Sequence, residues 1–185
     1  MKILFAASEA VPFVKTGGLA DVVGALAPVL AKEGHDVRVI IPQFSAIPQE
    51  YIQGATHVCD FEVQLGWRRQ YCGIEKIVKD GVTWYFMDNK YYFGRPYIYG
   101  MGGDEYERFG FFCRGVLNML PLIEFQPDVI HAHDWQSGMI PALLKIQYAH
   151  LPFYAGIKTV FTIHNLQYQG IFGIREVQDV LGLGD

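Results

Sequence analysis

The stretch KILFAASEAVPFVKTGGLADVVGALAPVLAKEGHDVRVIIP, residues 2–42, decides the fold. It opens with a short apolar run at 2–7, which has the character of a buried strand. Pro12 falls in a loop. Gly17-Gly18 then opens a stretch in which Leu19, Val22, Val23, Leu26, Val29 and Leu30 recur at helical spacing to about residue 32. Pro28 lacks a backbone donor and is expected to kink this helix near Gly24 or to end its first half there. Gly34 gives the stop, and residues 36–41, closed by Pro42, read as a second strand. The unit is strand, helix, strand.

Downstream the pattern changes and then returns. Residues 58–65, 71–78 and 82–87 read as three strands, with Lys79-Asp80-Gly81 as a tight turn between the last two. They suggest a β-rich excursion from an α/β scaffold. Residues 89–103, with Tyr91, Tyr92, Tyr97 and Tyr99, read as an irregular functional or mobile loop. Asp104 followed by Glu107 resembles a helix start, and Phe109, Phe112, Val116, Leu120 and Ile123 mark one helical face. Strands are expected at 129–133 and 158–164, with helices at 135–148, where Pro141 is an irregularity, and at 174–181. Such alternation argues for a doubly wound parallel sheet covered on both faces. The glycine-rich end at 182–185, with no closing strand after it, reads as a chain stopping mid-architecture.

Composition narrows the function. The chain has 185 residues, 51% apolar, 15% aromatic and 18% charged, which excludes intrinsic disorder. Fifteen Lys and Arg against 19 Asp and Glu give a net charge of −4, so no basic excess invites nucleic acid or anionic lipid. No run approaches the roughly 18 apolar residues of a membrane span, and the start meets Glu9 too soon for a signal core. A cytoplasmic protein is the expectation. Three widely spaced cysteines, without a Cys-x-x-Cys pair, indicate buried thiols rather than disulfides or zinc.

In a doubly wound sheet, ligands bind beyond the carboxyl ends of the strands, and three loops there carry unusual residues. After the first strand, Gly17-Gly18 at a helix mouth beside Lys15 suits a phosphate or diphosphate, or is a glycine turn with a solvated lysine. It is neither a P-loop nor a Gly-x-Gly-x-x-Gly fingerprint. In His131-Ala132-His133-Asp134-Trp135, strand alternation puts both histidines on one face. A metal needs three or four ligands, and no further cluster has the spacing, so Asp134 is expected to cap the next helix. After the last strand, His164-Asn165-Leu166-Gln167-Tyr168-Gln169-Gly170 gathers groups able to bond sugar hydroxyls.

These blocks, together with Ser8-Glu9-Ala10 and Lys15-Thr16-Gly17-Gly18-Leu19-Ala20-Asp21, resemble those of bacterial glycogen synthases and plant starch synthases, in the right order and across essentially the whole chain. The resemblance implies one half of a two-domain, GT-B type glycosyltransferase with facing Rossmann-like halves. Residues 1–185 would be the N-terminal, acceptor-side domain, and the nucleotide-binding C-terminal domain, its partner, would be absent. The implied reaction moves glucose from ADP-glucose to the non-reducing end of an α-1,4-glucan, with retention and without cofactor or metal. It implies catalytic roles for His164 and Asp134, and substrate contacts from Lys15, Gly17, Gly18, Tyr92 and Asn165. Three alternatives remain: another sugar-nucleotide transferase, a metal-dependent hydrolase built on His131, His133 and Asp134, and a non-catalytic glucan-binding module.

Overall fold

The computed structural model describes residues 1–100 and 103–184. One seven-stranded sheet runs β3-β4-β5-β2-β1-β6-β7. Its strands are β1 (Lys2–Ala6), β2 (Asp36–Pro42), β3 (Thr56–Leu65), β4 (Arg68–Lys79), β5 (Val82–Asp88), β6 (Val129–His133) and β7 (Lys158–Thr162). From β5 across to β7 every pairing is parallel. β3 and β4 pair antiparallel and continue the same sheet. The expected β-rich excursion is therefore a wing of the main sheet rather than a separate layer.

Alternation along β5 shows how both faces are covered. Trp84 and Phe86 pack edge-on against Phe13, on the side of α1 (Gly18–Lys32). Met87 faces the other way, against Gly115 of α4 (Glu105–Leu122). Leu19, Val23 and Ala27, spaced four apart, form the buried stripe of α1. The helix runs through Pro28 as one element, so the expected break near Gly24 does not occur. Gly24 has another duty: a Cβ there would lie 2.3 Å from a Val11 methyl carbon, so only glycine lets the loop after β1 lie against the helix.

The loop at 89–103 is more ordered than its composition implies, though its Met101 and Gly102, like Asp185 of the closing turn, lie outside the described residues. Asn89 caps a short helix, α3 (Lys90–Phe93), by accepting the Tyr92 N–H at 2.9 Å. Arg108, fully buried, donates to the carbonyls of Tyr92 at 2.9 Å and Ile98 at 3.0 Å and pairs with Glu105. Arg95 grips the Asp104 carboxylate with bonds of 2.7 and 2.6 Å, so Asp104 holds the loop instead of capping α4 with its side chain. That pairing also holds the Asp104 carboxyl below its ordinary range.

The expected helix at 135–148 is broken in three: a 3-10 turn at Trp135–Ser137, α5 (Met139–Leu143) and a π turn at Leu144–Tyr148. A short α2 (Gln49–Ile52) and a closing α6 (Ile174–Leu181) complete the elements. Cys72 and Cys113 are buried thiols and Cys59 is half-buried. No described helix is long and apolar enough to cross a membrane.

Candidate active site

The order β2-β1-β6 is the switch point of the sheet: one crossover leaves β1 toward β2, and the chain later returns on the other side of β1 as β6. Loops leaving β1 and β6 there diverge and open a crevice. A cleft of about 920 Å³ occupies that place, lined by Glu9, Thr16, Gly17, Gly18, Tyr99, Asp134, His164 and Asn165, among others.

One rim is the mouth of α1. Gly17 is extended, at φ −149° and ψ −169°, and no side chain caps the helix. The first-turn amides, which have no intrahelical partner in any helix, therefore receive no cap side chain here. A Cβ on Gly18 would meet nothing within 4 Å, so the backbone there faces open cleft. Glu9, only 4% exposed, closes the mouth from behind: its carboxylate accepts the Thr16 N–H and, at 3.0 Å, the Thr16 hydroxyl. Burial pushes the Glu9 carboxyl above its ordinary range, against the opposing pull of the bonds from Thr16 and from the Gly17 N–H. Lys15 does not line the cleft. It is half exposed and pairs with Asp21 at 2.7 Å.

The other rim is built where β6 and β7 end. Asp134 sits at φ 57° and ψ 179°, a conformation that costs a non-glycine residue about 1–3 kcal/mol. It is held there from both sides. Its N–H donates to the Thr162 carbonyl at 2.9 Å, and its Oδ1 accepts the N–H groups of His164 at 2.6 Å and Asn165 at 3.3 Å. The expected helix cap is thus not made by the side chain. Asp134 instead stitches the β6 end to the loop after β7. Asn165 turns its own Oδ1 back to the N–H groups of Gln167 and Tyr168, at 2.9 and 3.1 Å.

His131 and His133 share a face, as alternation demands, with ring centroids 4.0 Å apart. His133, with no exposed surface, meets His164 through an Nδ1 to Nε2 bond of 2.9 Å, and His131 bonds the Thr162 hydroxyl at 2.7 Å. Burial, with His131 and His164 beside it, depresses the His133 pKa to about 3, and burial lowers that of His131. Among the described residues, no group of three or more His, Cys, Asp or Glu side chains is arranged to hold a metal.

Tyr92 is the misplaced expectation. Its side chain is fully buried under α4, with its hydroxyl on Glu107 at 2.5 Å, and it does not reach the cleft. The aromatic loop does contribute, through Tyr99, whose hydroxyl shares a 2.7 Å bond with Ser8. Glu9, Thr16 and Tyr99 fall within the sequence blocks and the aromatic loop named above, without a site role assigned from sequence. An acid directly after an apolar strand was the available signal for Glu9.

A family profile described as the starch synthase catalytic domain matches residues 2–185. The chain belongs to that family. It is 57% identical over 185 residues to the glycogen synthase of Anoxybacillus flavithermus and 57% to that of Desulforamulus reducens, covering all of this chain and 38% of each relative. The glycogen synthase of Geobacillus stearothermophilus is 54% identical over 183 residues. The solved catalytic domain of starch synthase IV from Arabidopsis thaliana, bound to ADP and acarbose, superposes with a TM-score of 0.88 at 29% identity, over 99% of this chain and 37% of that one. The chain thus spans 38% of the length of these curated relatives. Family membership also fits the fold, an α/β sheet of the glycosyltransferase type with the cleft at its switch point.

Proposed function

We propose that this chain is the N-terminal, acceptor-side domain of a cytoplasmic, retaining glucosyltransferase that carries glucose from ADP-glucose to the non-reducing end of an α-1,4-glucan. The observation that carries the reading is one cleft with two unlike rims. Backbone amides of a helix mouth stand on one side, and a clamped His164-Asn165 pair stands on the other. A helix mouth suits the developing charge of a diphosphate leaving group, and polar groups after β7 suit sugar hydroxyls. The solved relative's ADP and acarbose supply the matching ligand chemistry, a nucleotide and an oligosaccharide mimic.

In this reading, Gly17 and Gly18 give backbone contact to the diphosphate, and Lys15 exchanges Asp21 for it when donor binds. His164 holds the sugar. Asp134 acts as a positioning residue, because the Oδ1 bonds place His164 and Asn165. Glu9 is taken up by Thr16. The carboxylates that line the cleft are each engaged, Glu9 by Thr16, Asp134 Oδ1 by the His164 and Asn165 N–H groups and Glu105 by Arg108, which favours same-face attack by the glucan hydroxyl, held by positioning. A second, nucleotide-binding domain would close the cleft. No cofactor or metal is required for these steps.

The test uses a protein of the relatives' full length, with ADP-glucose and glycogen. His164→Ala should lower turnover while the Tm stays within a few degrees. A large fall in Tm with near-normal turnover would make His164 structural. The 1–185 chain alone should fold yet elongate no glucan. Turnover approaching the full-length control would show that no second domain is needed.

A further inference from the structure

We infer that His133 is a positioning residue whose Nδ1–H donates to His164 Nε2, fixing His164 as the tautomer that carries its proton on Nδ1 and offers the cleft an N–H donor. This rests on the functional reading above and deepens it by saying what His164 can recognise: an oxygen lone pair, on a sugar hydroxyl or a phosphate.

The bond between the two rings, 2.9 Å from His133 Nδ1 to His164 Nε2, is compatible with a proton on either atom. The rings are nearly parallel, at 16°, with centroids 5.2 Å apart. What separates the two arrangements is the far side of His133. Its Nε2 is buried and meets no polar partner among the described residues. If His164 were the donor, a neutral His133 would carry its proton on that Nε2 and bury an N–H with no acceptor. If His133 is the donor, the buried atom is only an unused lone pair. Orphaned buried N–H groups are the rarer and costlier of the two. A doubly protonated His133 would bury a charge against His131, stacked at 4.0 Å, and burial holds the ring neutral far below neutral pH.

His133 is also kept from turning. Phe5 packs edge-on against both His131 and His133, at 5.0 and 5.3 Å, and the Ser137 hydroxyl holds the His133 carbonyl at 2.7 Å. His164 has the complementary placement. Its backbone is fixed by Asp134, its Nε2 by His133, and its ring lines the cleft. His164 therefore offers a ligand one group of known polarity, its Nδ1–H.

The direct test is long-range proton–nitrogen NMR on ¹⁵N-histidine-labelled protein at neutral pH, with His133 and His164 assigned by single substitution. The expected result is a proton on Nδ1 of both rings. A proton on Nε2 of His133 overturns the inference. A second arm uses two variants in full-length protein. His133→Asn keeps an amide N–H where Nδ1 stood, and His133→Phe keeps the ring without a donor. With similar Tm values, His133→Asn should retain kcat/KM within about threefold while His133→Phe loses about tenfold, the size of one hydrogen bond. Equal losses would mean that packing alone matters and would overturn the inference. Wild-type protein inactive with ADP-glucose would sink the functional reading, and the NMR arm would still decide the tautomer.

Discussion

The two rims of the cleft use the same device on different chemistry. Each has a carboxylate, after β1 or β6, that takes backbone N–H groups from further along the chain: Glu9 takes Thr16 of its own loop, and Asp134 takes His164 and Asn165 of the loop after β7. The product differs. On the α1 rim the carboxylate positions a bare backbone, and the functional groups are amides. On the β6–β7 rim it positions side chains, with a histidine pair behind them. Amides at a helix mouth recognise charge with little need for orientation, whereas a sugar hydroxyl demands a donor at a defined place. The β6–β7 rim accordingly carries the backbone strain and the buried imidazoles.

The rims should also respond to acid with opposite sign. His133 has a folded pKa of about 3 against an ordinary 6.5, so between those values the unfolded chain binds a proton that the native chain refuses. Its stabilising contribution is whole above about pH 6.5 and is lost as pH falls toward 3, an effect of a few kcal/mol. His131, also lowered, adds to the same limb. Glu9 is raised, so it binds its proton more readily in the native state and its contribution grows as pH falls. Denaturant midpoints between pH 7 and 4 should therefore decline in wild type, decline less in His133→Asn, and decline more steeply in Glu9→Gln. Parallel curves for all three would remove the contrast.

Asp134→Asn strikes the stitch of the β6–β7 rim. The charge-assisted bond to the His164 N–H, worth roughly 1.5–3 kcal/mol, is weakened, and the strained backbone loses part of its support. Turnover in full-length protein should drop by about a hundredfold, with hydrogen exchange at the His164 and Asn165 amides accelerating. Unchanged exchange there would show that Asp134 does not hold the loop.

How far these rims were legible beforehand depends on chain distance. The parallel core was readable because strands buried on both faces are written as unbroken apolar runs, as in Leu4-Phe5-Ala6 and Val39-Ile40-Ile41. The shared face of His131 and His133 follows from a two-residue period. The direction of the Asp134 side chain does not, since capping Trp135–Ser137 is a local option whereas the loop after β7 lies 30 residues along the chain. The β6–β7 register, which puts His133 opposite Thr162, selects the second. Tyr92 and Tyr99 are equally aromatic in sequence. Arg108, reaching back from α4 to the carbonyls of Tyr92 and Ile98, helps fix a loop that buries the first and brings the second to the cleft.

Breaking the α1 rim takes a smaller push. Gly24→Ala gains helix propensity of up to about 1 kcal/mol. Its Cβ would however lie 2.3 Å from the Val11 Cγ2 and 2.7 Å from the Val11 carbonyl oxygen, so the loop after β1 must move. Overpacking of this kind costs typically 1–3 kcal/mol, and after the propensity gain a net loss of up to about 2 kcal/mol is expected. Urea unfolding reads it directly. A stabilised variant would mean that the loop yields freely and that Glu9 alone shapes the mouth.

Lys15→Ala should produce the smallest effect on stability, and it separates stability from function on the same rim. In the structure the ammonium is spent on Asp21, and both side chains are about half exposed. Such pairs contribute little to folding, within about 1 kcal/mol, so the Tm should hardly change. Donor use should change more, because in the proposed reading a diphosphate at the mouth would offer Lys15 a stronger partner than Asp21. Loss of one charge-assisted bond corresponds to about tenfold in kcat/KM for ADP-glucose, rising toward a hundredfold if the site is dry. Asp21→Asn supplies the counter-experiment: freed of its neighbour, Lys15 should keep or improve donor use. If instead Asp21→Asn and Lys15→Ala weaken donor use alike, the ion pair itself orders the mouth of α1, and this rim, like the other, depends on a side chain held in place.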